Sequence, residues 1–130
     1  MIKQYLVALI TFLAIDGVWL VVVAKNFYAK YLGYLMSKTP NLAAAGIFYL
    51  IYILGMVVLV LQPALAKGSI WQAILTGALF GLCGYATYDL TNLATIKDWP
   101  ILVTIVDLIW GTFVSAVVAG ISYWILTKWL

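Results

Sequence analysis

The chain holds four aspartates and no glutamate, and three of the four, Asp16, Asp89 and Asp107, stand in or beside long apolar stretches. A carboxylate at mid-bilayer costs at least a few kcal/mol, so such residues face the interior of a helix bundle and mark proton or ion paths. No lysine or arginine stands opposite them within those stretches. Two or three carboxyls in one dry site cannot all stay ionised, because desolvation and mutual repulsion act together. Either they hold protons or a cation neutralises them. Tyr85, Tyr88, Thr91, Asn92 and Thr104 could supply neutral donors and oxygens. A single protonated aspartate could equally serve as packing glue between helices. Asp89 with Thr91 and Asn92 could also hold Mg²⁺ and a phosphate, which keeps an enzyme reading open.

Spacing from the loop lysines sets the depth of these acids. Asp16 lies nine residues before Lys25 and Asp107 ten after Lys97, which puts both about 14 Å inside the same membrane side and level with each other. Asp89 lies eight residues before Lys97. It is about 9–12 Å deep if its helix runs a turn past Tyr88, and a wet helix-end residue if it does not. Tyr85 and Asn92 then share its face. Trp19 follows Asp16 by three residues, as Trp110 follows Asp107. The two motifs belong to helices that run in opposite directions, so they are not a simple tandem repeat.

Histidine is absent and Cys83 stands alone, so haem ligation, histidine-cluster metal sites and disulfides are excluded and no cofactor is expected. Cys83 reads as a buried packing thiol. The net charge of +3 comes from scattered loop lysines, which suits anionic headgroups and no nucleic acid. At 67% hydrophobic and 8% charged, the chain lacks the polar surface of a soluble domain.

The expected fold is all-α: a four-transmembrane-helix bundle forming a single domain over residues 1–130. The helices are placed at about 4–24, 42–62 (stopping at Pro63), 69–90 and 100–127. A short amphipathic interfacial helix is expected between the first two, within Asn26–Ser37, with Tyr28, Tyr31, Leu32 and Leu35 toward membrane or bundle and Gly33 as its weak point. Trp71, Trp99, Trp124 and Trp129 suit an aromatic belt. Ala73, Gly77 and Gly81 form a small-residue stripe, for packing within the chain or for a homodimer. The lysines divide almost evenly between the two sides, so orientation is not legible.

The block from Gly84 to Thr95, GYATYDLTNLAT, followed by Asp98-Trp99-Pro100, resembles an uncharacterised family of small bacterial four-helix integral membrane proteins. Asp16 with Trp19, Phe27-Tyr28, Phe48-Tyr49 and Asp107-Leu108-Ile109-Trp110-Gly111 support the likeness, which covers nearly the whole chain. One departure is Ala29, where a basic residue is expected directly after Phe27-Tyr28. The resemblance implies four helices and a multi-pass protein of the bacterial inner membrane, and brings no activity. The residues themselves favour binding or transport of a proton, a cation or a small lipophilic molecule among membrane lipids. A lipid-modifying enzyme and a non-catalytic assembly subunit remain as alternatives, and the sequence does not identify a ligand.

Overall fold

The computed structural model describes residues 1–130, and it is all-helical. Four helices are long and apolar enough to cross a membrane: α1 Ile2–Leu32, α2 Leu42–Lys67, α3 Ile70–Thr95 and α4 Ile101–Lys128. Three crossovers join antiparallel neighbours. The first spans residues 33–41 and ends where the Asn41 side chain accepts from the Ala44 N–H at 3.1 Å, capping α2. This satisfies one of the donors that a helix start leaves open. The second is only Gly68 and Ser69. Gly68 takes the left-handed conformation at φ 66° that ends α2, and Ser69 caps α3 by accepting from the Gln72 N–H at 3.1 Å. The third holds Asp98 at φ 61°, a region that aspartate tolerates better than most residues.

The segment expected to form a separate interfacial helix is helical over Lys25–Leu32, but it is shorter than Asn26–Ser37 and is the continuation of α1 rather than an element of its own. Between them, Leu20–Ala24 form a wide π turn, in which the Lys25 N–H bonds the Leu20 carbonyl five residues back. Leu32 is buried and Tyr28 and Tyr31 are half-buried, while Leu35, beyond the helix end, is exposed. The second helix does not stop at Pro63 either. A π turn over Val57–Leu61 precedes the proline, and the Gln62 N–H bonds the Val57 carbonyl. The hydrogen-bond ladder is shifted by one residue just where proline has no N–H to give, so the helix survives to Lys67.

Helices α3 and α4 form the tightest pair. Their close approach runs through glycines: a Cβ on Gly77 would meet Ala119 and Ser115 at 2.8 Å, and one on Gly81 would strike the Gly111 carbonyl and Ser115. The stripe of Ala73, Gly77 and Gly81 is thus buried inside the chain. In lipid, small residues draw helices together because dispersion contact, rather than exclusion of water, drives the association. α1 packs on α4 and α2 on α1, while the first half of α2 stands apart. From Leu42 to Leu50 only Tyr49 is not exposed.

Both termini lie at one end, where Lys3 Nζ donates to the Leu130 carbonyl at 3.3 Å and Gln62 donates to Gln4 at 3.1 Å. At the other end Tyr34 donates to the Asp98 carbonyl at 2.8 Å, and Leu32, Trp99 and Val103 form a small core. Trp99 is therefore a buried plug and not a belt residue, whereas Trp71 and Trp129 are exposed at the termini end. Cys83 faces outward and not into the core, since the lipid side of a membrane helix is as welcoming to a thiol as its interior.

Candidate functional site

Asp16, Asp89 and Asp107 are all buried, Asp89 completely. The α3–α4 hairpin explains one pairing. Asp89 lies nine residues before Asp98 and Asp107 nine after it, in the same register that sets Tyr85 against Gly111, Gly81 against Ser115 and Gly77 against Ala119. The two carboxyls come within hydrogen-bonding reach of each other. Neither Asp89 oxygen receives a hydrogen bond from any donor of the chain. Thr104, a candidate donor by sequence, instead bonds the Asp89 main-chain carbonyl at 3.3 Å and accepts from the Trp99 indole at 3.0 Å.

Each of the other two acids is held by a tyrosine. Tyr28 donates to Asp107 Oδ1, and Tyr49 donates to Asp16 Oδ2 at 2.6 Å. These are the tyrosines of the chain's two Phe-Tyr pairs flanking the first crossover, Phe27-Tyr28 and Phe48-Tyr49. The two Asp-x-x-Trp motifs cross over. The Trp110 indole donates to Asp16 Oδ1 at 3.3 Å, Trp19 lies beside the Tyr28 hydroxyl, and the two indoles stack with centroids 4.3 Å apart and planes 9° from parallel. The donors to Asp16 and Asp107 are thus all neutral.

The π turn makes this possible. Twelve residues of regular helix would leave Tyr28 about 120° around α1 from Asp16; the extra residue absorbed by a wide turn cuts that to about 20°. Both then face α4. The same continuity displaces Asp16 from its expected level. Lys25 lies inside a helix rather than at its end, so depth counted from it falls short. Asp16 stands level with Trp110, about one turn or 4.5 Å deeper than Asp107.

Tyr85 and Tyr88 project toward the acids from α3. The Tyr85 ring lies flat against Gly111, where any Cβ would overlap it. Its edge meets Tyr52 with ring centroids 6.4 Å apart, and Tyr52 bonds Ser115 at 2.5 Å. Tyr88 is 56% exposed and packs its ring edge against Trp99 at 5.9 Å. It separates two clefts. One, of about 310 Å³, is lined by Tyr28, Leu32, Met36, Tyr88 and Asp107. The other, of about 350 Å³, is lined by Phe48, Tyr52, Gly84, Tyr85 and Tyr88.

Thr91 does not join the site. Its hydroxyl bonds the carbonyls of Thr87 and Tyr88 on its own helix and faces outward. Asn92 is half-buried beside the Tyr88 hydroxyl. With Thr91 turned outward, the three residues of the alternative Mg²⁺ and phosphate arrangement, Asp89, Thr91 and Asn92, do not all face one site. No cluster of three or more potential metal-ligating acids or thiols occurs elsewhere. The residues that sequence reasoning missed are Tyr28 and Tyr49 as carboxyl partners, with Tyr52 and Ser115 behind them. The repeated Phe-Tyr pair was the available signal.

The family described as "Predicted membrane protein (DUF2177)" matches residues 1–124. The chain belongs to that family. It is a multi-pass integral membrane protein with four apolar helices. No curated protein and no solved structure matches it, so a chemical role has to come from the DUF2177 chain's own side chains.

Proposed function

We propose that the protein binds a proton or another small cationic ligand at the Asp89–Asp107 pair, within the inner membrane of a bacterium. The observation that carries this reading is the state of Asp89: a fully buried carboxyl with no donor, turned to a second buried carboxyl. A pure packing role would favour a donor opposite each oxygen, because an unsatisfied buried polar atom costs about 1–3 kcal/mol. A single proton held between the two carboxyls supplies a donor to one of the two Asp89 oxygens, and a cation in the neighbouring cleft could replace it. Tyr28 then steadies the Asp107 carboxyl by donating to it. Asp16, with two neutral donors of its own, is the secondary position, linked through the stacked tryptophans.

The test is infrared spectroscopy of the protein in lipid vesicles, reading the carbonyl band of a protonated carboxyl at neutral pH. The band should be present in the wild type, lost in Asp89→Asn and in Asp107→Asn, and kept in Asp98→Asn. A spectrum without the band, or a band indifferent to both pair substitutions, would remove the reading.

A further inference from the structure

We infer that the cleft between Tyr28 and Tyr88 takes an amphiphilic organic cation from the membrane, its charged nitrogen against Asp107 and its apolar body across Tyr88 into the cleft beyond. This rests on the proposed role of the carboxyl pair and specifies its ligand.

Charge complementarity is the first argument. The titratable groups facing the pair are Tyr28 from α1 and Tyr88 from α3, with Asp16 and Tyr85 next beyond; no lysine is among them. The site can become anionic and has no cation of its own. The lining decides which cation suits it. Hard metal ions take six or more oxygen ligands. Here Asp107 supplies the only carboxylate on the wall, and the Tyr28 hydroxyl is committed to it. The rest of the wall is two aromatic rings, Leu32 and Met36. Aromatic faces with one carboxylate suit an alkylated ammonium, which is weakly hydrated and attracted to ring faces. The second cleft continues past Tyr88 with Phe48, Tyr52 and Tyr85 and no charged group, which fits an apolar body. It opens where the first half of α2 stands away from the bundle, with Phe48 and Tyr88 about half exposed along the helix sides. Entry is therefore lateral, from the acyl or headgroup region.

The experiment measures displaceable binding of labelled benzyltrimethylammonium to the full chain in detergent micelles, with its uncharged carbon isostere neopentylbenzene as competitor. Wild type should bind the cation more tightly as pH rises, because the proton on the pair competes with it, and the isostere should compete at least tenfold less well than unlabelled cation. Tyr88→Leu should weaken binding about tenfold while the protonated-carboxyl band persists. Asp89→Asn leaves Asp107 charged with an amide donor beside it, so its binding should lose the pH dependence; this variant serves even if Asp107→Asn does not fold. Equal competition by the isostere, an unchanged pH dependence in Asp89→Asn, or full binding by a folded Asp107→Asn would overturn the assignment. An infrared band without displaceable binding would also overturn it while leaving the carboxyl-pair reading intact; absence of the band would remove both.

Discussion

Gly81→Ala tests whether the register of the α3–α4 hairpin holds the carboxyl pair together. The added methyl would fall on the Gly111 carbonyl oxygen and on the Ser115 side chain. A backbone carbonyl cannot rotate away, so the two helices must separate. Overpacking of this kind costs about 1–3 kcal/mol. Alanine also favours helix over glycine by about 1 kcal/mol, which would mask part of the loss in a comparison with wild type. Gly17→Ala removes that confusion, because a Cβ there meets nothing within 4 Å and the helix preference is the same. Measured against Gly17→Ala, Gly81→Ala should therefore be less stable by about 1–3 kcal/mol, toward the upper end because the clash is with backbone. Steric-trap unfolding in bicelles gives the difference directly. Asp89 and Asp107 lie two turns from Gly81 on the same seam, so the protonated-carboxyl band should also shift in Gly81→Ala and stay fixed in Gly17→Ala. Gly81→Ala proving as stable as Gly17→Ala would show that the helices are not in the contact described.

Three other expectations can be checked by the same unfolding measurement. Asp16→Asn should fold with stability within about 1 kcal/mol of wild type, since the amide oxygen still accepts from Tyr49 or Trp110; Asp16→Leu should lose more, because it strands both donors. Tyr52→Phe should cost about 1 kcal/mol by removing the buried bond to Ser115, and Ser115→Ala combined with it should cost little further. Asn41→Ala should lose about 1 kcal/mol and fray the start of α2, visible as faster amide exchange confined to the residues after Leu42.

Several features were legible because they depend on one helix at a time. Apolar runs of membrane length set four crossings, and the cost of a charge in lipid turns Asp16 and Asp107 inward. The pairing of Asp89 with Asp107 was open to reading as well. A tight antiparallel hairpin brings together residues equidistant from its turn, and the glycines at 77, 81 and 111 fall in that same register. Depth counted from Lys25 sets Asp16 level with Asp107 instead, because Lys25 lies inside α1 and does not mark its end.

Composition and periodicity alone determined that this is a four-helix membrane protein with acids in its interior. Which donor meets which acid was decided only by the tertiary structure. A helix in lipid is apolar on nearly every face, so no amphipathic pattern fixes its rotation against a neighbour. Two π turns add a residue each without leaving a mark in the hydropathy. One of them swings Tyr28 through about 100°, from the side of α1 onto the face it shares with Asp16. The bond from Tyr28 to Asp107 follows from that rotation; the stacked Trp19 and Trp110 and the bond from Tyr49 to Asp16 follow from the packing of α1 on α4 and of α2 on α1. Local spacing could give neither.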